Sequence, residues 1–307
     1  MKALGDIMLK HITVLKKETV DGLNIKKNGI YVDATLGGGG HSEAILEQLD
    51  SGFLYAFDQD LYAIKRASER LAKYSNFKII HSNFAYLKEK LNEEGITKID
   101  GILFDLGLSS FQIDDSDRGF SYLVDKPLDM RMNQQQRITA KEIVNTYEFE
   151  QLRDIFFIYG EEKNASKIAS EIIKRRPLET TFDLVAITDK YNFKQKGHSA
   201  KRVFQALRIE VNQELEVLKD ALVQSMELLN VGGRMALISF HSLEDRIVKH
   251  FFKEYSEIKI PKGLPIISNE VAPLKLITRK AILPTEEELL ENKRSHSAKL
   301  RVAEKNK

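Results

Sequence analysis

The sequence predicts an α/β protein: a doubly wound sheet interrupted by a helical insertion at roughly residues 110–205. Three observations predict it. Short apolar runs alternate with amphipathic stretches up to Asp105; a polar loop and purely helical patterns follow; the strand pattern then returns at Arg234–Ser239. Strands that are nearly all apolar and separated by helices need cover on both faces, which is the property of a parallel sheet.

The elements follow in order. Gly29–Asp33 is a β-rich run that breaks into the glycine cluster Gly37–Gly40, and His41–Leu49 reads as a helix. Phe53–Phe57 is a second buried strand ending at Asp58. Leu61–Tyr74 is an amphipathic helix, with Ile64, Ala67, Leu71 and Tyr74 at three- and four-residue steps. Phe77–Ile80 and Ile99–Asp105 are the third and fourth strands. Gly107–Asn133, rich in Ser, Asp, Gly and Arg, reads as a long functional loop, and Thr139–Thr188 as helical. Val211–Leu229 carries Val211, Leu215, Leu218, Leu222, Met226 and Leu229 on one helical face and is expected to stop at Gly232-Gly233 as a C-cap. Leu243–Tyr255 is a further helix, and the alternating runs Leu274–Arg279 and Ala298–Ala303 suit an antiparallel ribbon.

Composition removes several classes of function. The 307 residues contain no Cys, which excludes a disulfide scaffold, a thiolate zinc site and a Cys nucleophile. The seven His show no H-x-H or H-E-x-x-H spacing, so no metal is expected. There is no G-x-S-x-G hydrolase elbow. No apolar run approaches the roughly 18 residues of a membrane span, and the first ten residues lack the apolar core of a signal peptide. A cytoplasmic location without membrane contact is expected.

The first candidate site is the string Asp33-Ala-Thr-Leu-Gly-Gly-Gly-Gly-His41 between strand and helix. Glycines there let backbone approach a ligand. Asp58, 21 residues after Gly37, is placed to accept both hydroxyls of a ribose. The alternative is a tight turn alone. Read as G-x-G-x-x-G, the string runs Gly37, Gly39 and then Ser42, so the third glycine of a dinucleotide loop is missing. Asp33 ahead of the glycines favours S-adenosylmethionine over NAD; it would hold the ligand's ammonium or orient the loop. Asp105 ends the fourth strand at the same carboxyl edge, where open α/β sheets bind ligands.

Two further loops carry candidate residues. Asp105-Leu-Gly-Leu-Ser-Ser-Phe-Gln112 continues through Asp117-Arg118-Gly-Phe120, and its polar groups would lie beside the methyl donor, or cap a turn. In Ser239-Phe-His-Ser-Leu-Glu-Asp-Arg246, Ser242 and Asp245 fit an S-x-x-[DE] helix cap, leaving His241 to contact a base or relay a proton, or to do neither. Charge totals 47 Lys and Arg against 45 Asp and Glu, but it is uneven. Lys190–Arg208 holds six bases and no acid; Asn292–Lys307 holds six bases against Glu304. Two such tracts read as phosphate-binding surface.

With these residues in view, the chain closely resembles one family, the bacterial 16S ribosomal RNA cytosine-N4 methyltransferases, or MraW. The matching strings are His11–Glu18, Val32–Ser42, Asp105–Ser110, Arg118–Ser121, Leu128–Met132, Tyr159–Glu162, Phe204–Asn212, Ser239–Lys249 and Ser297–Arg301. The resemblance implies a class I S-adenosylmethionine-dependent methyltransferase core at 1–110 and 206–307, with a substrate loop and inserted all-α domain at 111–205. It implies methylation of a decoding-centre cytidine in 16S rRNA within the small ribosomal subunit, and it leaves homodimerisation open. Cofactor contacts carry over to Gly39, Gly40, His41, Asp58, Phe84, Asp105 and Gln112, joining Asp33 and Gly37 from the loop pattern. Asp105, Ser109 and His241 are the expected catalytic residues; Ser110, Arg118, Lys201, Arg202 and Arg246 are expected at the RNA. Phe111 and Ser199 stand where the family usually has Pro. The Asp/Asn-Pro-Pro-Tyr string of other amino-methyltransferases is absent, so the stacking aromatic must be Phe111, Phe120, Phe240 or another ring. An NAD-dependent dehydrogenase and a non-catalytic ribosome-assembly factor remain as rival readings.

Overall fold

The computed structural model describes residues 12–108, 116–258 and 271–307. The chain divides into two compact units, Met1–Gly107 with Val223–Lys307, and Leu108–Leu222.

The first unit is built on a seven-stranded sheet of order β3-β2-β1-β4-β5-β7-β6. Its strands are β1 (Ile30–Asp33), β2 (Phe53–Asp58), β3 (Phe77–His81), β4 (Ile99–Asp105), β5 (Leu229–Ser239), β6 (Leu274–Leu276) and β7 (Lys299–Lys305). The first five run parallel, and β7 is antiparallel to both β5 and β6. The ribbon expected at the end of the sequence is therefore β6–β7, which also extends the main sheet. The helices are α1 (Lys16–Leu23), α2 (Gly40–Leu46), α3 (Leu61–Leu71) and α4 (Leu87–Glu93), with α11 (Ser242–Ser256) and α12 (Glu286–Glu291) after β5. Asp60 caps α3 by accepting from the Tyr62 amide, and Ala63, Ala67 and Leu71, four residues apart, form its buried stripe. Ala67 and Leu71 join Leu54, Ala56, Leu103, Ala236, Leu300 and Val302 in one apolar core.

The second unit is helical: α5 (Ala140–Thr146), α6 (Phe149–Ile158), α7 (Ala165–Arg175), α8 (Thr181–Asn192) and α9 (Lys201–Asn212), with α10 (Glu214–Leu228) containing the boundary between units. Its core is separate, assembled from Ile143, Leu152, Phe156, Ile168, Ile172, Leu184, Phe204 and Leu207 among others. Val203, Phe204, Ala206, Leu207 and Val211 of α9 all belong to that core. The second compact unit runs to Leu222, whereas the insertion is expected from the sequence to end at 205.

Two details differ from the sequence pattern. The amphipathic stretch expected as one helix from Val211 to Leu229 is the end of α9 plus α10, broken at Gln213, whose φ is +50°. The bidentate pair Arg208–Glu214, at 2.7 and 2.8 Å, spans the break. Gly232-Gly233 does not cap the helix: α10 ends at Leu228 and β5 begins at once. Pairing with β4 jumps from Ile99↔Leu229 to Gly101↔Arg234, so the glycines lie in a bulge, and Gly232 has φ +79°. A glycine pair gives the same local signal in either setting.

Candidate active site

The chain builds β1, β2 and β3 outward to one side, then crosses to β4 on the other side of β1. That reversal opens the crevice in which open α/β sheets take ligands. Asp58, Asp33 and Asp105 are the last residues of β2, β1 and β4, which are adjacent in the sheet.

Asp33 is 1% exposed. Its Oδ2 accepts from the Ser42 hydroxyl at 2.7 Å and its Oδ1 from the Thr35 amide at 3.1 Å. Each Asp33 oxygen thus accepts one hydrogen bond from within the turn, the arrangement expected of a residue that orients the loop. Burial pushes its carboxyl up to about 6 against the opposing Ser42 and Thr35 hydrogen bonds. Asp58, partly exposed, accepts from the Gly37 amide at 2.9 Å and the Asp60 amide at 2.8 Å. Burial likewise pushes it up to about 6, opposed by those two amides.

Two glycines of the loop are fixed by backbone conformation: Gly37 at φ +49° and Gly39 at φ +74°. Gly40 is fixed by space, because a Cβ there would lie 1.9 Å from the Thr13 Oγ1. The loop is further tied by the Leu36 amide to the Phe57 carbonyl at 2.8 Å and by Arg70 Nη1 to the Gly38 carbonyl at 3.0 Å.

Asp105 is held by its backbone, whose amide donates to Thr35 Oγ1 at 2.6 Å. Its side chain is 27% exposed; Oδ2 lies 3.5 Å from His41 Nδ1, while Oδ1 is buried without a hydrogen-bond partner among the described residues. Burial first, then the charges of Asp33 and Glu244, raise its carboxyl well above the usual range. His41 is 4% exposed, and its Nε2 meets the Val14 carbonyl at 3.0 Å. Phe84, half-buried after β3, sets its ring edge-on to Phe104 at 5.6 Å. Phe240 packs beside Gly107, where a Cβ would lie 3.4 Å from its ring, whereas Phe120 is 8% exposed within the helical core and presents no face for stacking on a base.

His241 itself caps α11. Its Nδ1 accepts from the Glu244 amide at 3.4 Å, its Nε2 approaches Glu244 Oε1 at 3.1 Å, and Glu244 Oε2 returns to the Phe240 amide at 2.8 Å. The capping box thus begins one residue earlier than the Ser242/Asp245 pattern, with His in the position usually taken by Ser or Thr. Asp245 is engaged instead with β7, 2.7 Å from Arg301 and 3.2 Å from Lys299.

Several expected RNA contacts are spent internally. Arg118 is 5% exposed, with Nη2 donating to the carbonyls of Arg131 and Met132 at 2.8 and 2.9 Å, so it clamps backbone rather than facing a substrate. Lys190 pairs with Glu171, Arg208 with Glu214, and Arg202 Nη1 donates to the Glu161 carbonyl. In the C-terminal tract, Lys299 and Arg301 pair with Asp245, and Lys305 Nζ binds the Met226 and Leu229 carbonyls. Lys194, Lys196, Lys201 and Arg246 are exposed. Ser109, Ser110, Phe111 and Gln112 lie outside the described residues. Pattern reading missed Thr35, Ser42, Val14 and Glu244. The first two stand in the glycine string, Glu244 was legible only as an H-x-x-E box, and Val14 acts through a carbonyl that every residue carries.

A model of the MraW methylase family matches residues 8–306. The chain belongs to this family. Among relatives, a protein of Acholeplasma laidlawii named ribosomal RNA small subunit methyltransferase H 1 is 64% identical over 97% of this chain and 99% of its own. One of onion yellows phytoplasma, named ribosomal RNA small subunit methyltransferase H, is 60% identical over 96% of this chain and 97% of its own. A crystal structure of an rRNA methylase from Streptococcus thermophilus shares 14% identity at a TM-score of 0.46, covering 97% of this chain and 99% of that one.

Membership decides between the cofactors left open by the glycine string: the methylase takes its methyl group from S-adenosylmethionine. The residues fit that group. Two left-handed glycines open the loop, a carboxylate stands on the strand beside it, and a buried Asp105 oxygen has no hydrogen-bond partner among the described residues, as suits a ligand that brings its own cations and hydroxyls.

Proposed function

We propose that this methylase transfers the methyl group to the exocyclic N4 of a cytidine in the decoding centre of 16S rRNA, acting on the small ribosomal subunit in the cytoplasm. The relatives' names support the small-subunit RNA as substrate. The observation that carries the site is the contiguous carboxyl edge Asp58–Asp33–Asp105, where Asp105 Oδ1 is buried without a hydrogen-bond partner among the described residues.

S-adenosylmethionine supplies an electrophilic methyl on a sulfonium, to be met in line at about 3 Å. The protein's residues bind and orient. Asp58 takes the ribose hydroxyls while keeping Gly37 in place, the glycine backbone admits the donor, and Phe84 covers the adenine. The N4 lone pair of cytosine is delocalised into its ring, so an acceptor for an N4 hydrogen helps to localise it. Asp105 is that acceptor; Ser109, expected next to the amine from the sequence, lies outside the described residues. His241 and Glu244 fix the turn from β5 into α11 that carries Arg246. For RNA, the helical unit offers exposed Lys194, Lys196 and Lys201, with Phe193 (73% exposed) and Phe182 (45%) for stacking.

Mass spectrometry of small-subunit RNA tests the reading, with naked RNA and assembled subunits incubated with the protein and S-adenosylmethionine. One methyl on one cytidine N4 is expected; a methyl on another base, or none on either substrate, overturns it. Unchanged methylation and donor affinity in Asp105→Ala would remove Asp105 from the scheme.

A further inference from the structure

His41 is the one titratable side chain in direct contact with the Asp105 carboxylate among the described residues, and its tautomer is fixed from the far side of the ring. The Val14 carbonyl can only accept, so Nε2, 3.0 Å away, carries a hydrogen. Nδ1 then faces Asp105 Oδ2 at 3.5 Å. With neither atom protonated, a ring lone pair would be directed at a carboxylate oxygen; one proton between them removes that repulsion. At 4% exposure of His41, water has little access to intervene. The other charges turned on Asp105 are acidic: Asp33 at the end of β1 and Glu244 in the first turn of α11. Both favour keeping a proton on the pair.

We propose that Asp105 and His41 share one proton when no methyl donor is bound, and that docking of the cationic donor expels it. This rests on the donor lying against Asp105. It makes the pair a charge store: positive charge held as a proton in the free protein is replaced by the cation of the donor. When the methyl moves to an amine, the C–S bond breaks with its electron pair going to sulfur, the N–C bond forms, and the amine gives up one proton. The sulfonium charge has then gone, and the pair is again able to hold a proton.

Calorimetric titration of the protein with S-adenosylmethionine in buffers of differing ionisation enthalpy counts the protons released. Asp33 and Asp58 also titrate near pH 6, so the measure is the difference between the wild type and Asp105→Asn. The wild type is expected to release more, approaching one additional proton, and to gain donor affinity with rising pH more steeply than the variant. His41→Gln, which retains a donor for the Val14 carbonyl, is expected to move the midpoint of that dependence. Infrared difference spectra need no variant to fold: the protonated-carboxyl band of the wild type is expected to fade when the donor is added. Equal proton counts with weakened binding in Asp105→Asn would overturn the shared proton. Equal counts with unchanged affinity would overturn the placement of the donor as well.

Discussion

Ser42, in the first turn of α2, donates its hydroxyl to Asp33 Oδ2 at 2.7 Å, fastening the helix that follows the glycine loop to the end of the strand that precedes it. One of the three acids expected at the ligand edge is thereby bonded within its own loop.

Asp33 pushed up to about 6 makes stability depend on pH. Its folded value lies above that of an unfolded Asp, so the folded state holds the extra proton between about pH 4 and 6, and this group's contribution is lost as pH rises through that window. Asp33→Asn lacks this loss. Urea unfolding at pH 4.5, 5.5 and 6.5 should show the variant gaining on the wild type as pH rises, by up to roughly 2 kcal/mol. A gap that stays constant would contradict the buried, titrating Asp33.

Gly40→Ala places a Cβ 1.9 Å from Thr13 Oγ1 and 3.1 Å from its Cβ. Overpacking of this kind costs about 1–3 kcal/mol. Thr13→Ala in the same chain should restore part of the loss, because only the nearer of the two atoms is removed. Thermal unfolding of both single variants and the double variant checks the coupling.

Asp58→Asn should weaken S-adenosylmethionine binding by about 10- to 100-fold, equivalent to roughly 1.4–2.7 kcal/mol. The amide keeps one acceptor oxygen for Gly37 or Asp60 but loses the ionised acceptor for ribose hydroxyls. Calorimetry reads the change; affinity within twofold of wild type would place the ribose elsewhere.

His241→Ala removes the side-chain cap of α11 and should cost about 0.5–2 kcal/mol, whereas His241→Asn, a good N-cap residue, should recover most of it. If His241 holds the turn, methylation by the Asn variant remains within tenfold of wild type. Loss of about 100-fold or more with stability intact would instead mark His241 as an acid–base group.

Although burial works against it, the hydrogen bond and charge of Arg301, then Lys299, hold Asp245 below the usual carboxylate range. Its contribution is present above the unfolded Asp value and is lost as pH falls through the folded one. Arg301→Met should cost about 1–3 kcal/mol at pH 7, with Lys299 retaining part of the pairing, and should flatten the loss of stability below pH 4.

The alternation of apolar runs and amphipathic helices determined the sheet, because strand and helix periodicities are properties of neighbouring residues. The glycine string and the acids at Asp33, Asp58 and Asp105 likewise marked the candidate ligand edge, since each acid ends a strand legible on its own. Long strings matching one family added the expectation of Phe84 at the cofactor and of an rRNA substrate, which spacing alone could not reach. Whether a residue faces a ligand or the interior was decided by partners distant in sequence. Arg118 turned out to be buried against the Arg131 and Met132 carbonyls, and Asp245 is bound by Arg301. The bases of both positively charged tracts are divided in the same way, between internal partners and solvent. The sequence by itself determined which chemistry the strand ends carry. Only the tertiary structure decided which charges remain for a ligand, because a charged side chain is spent or free according to what folding brings within about 3 Å of it.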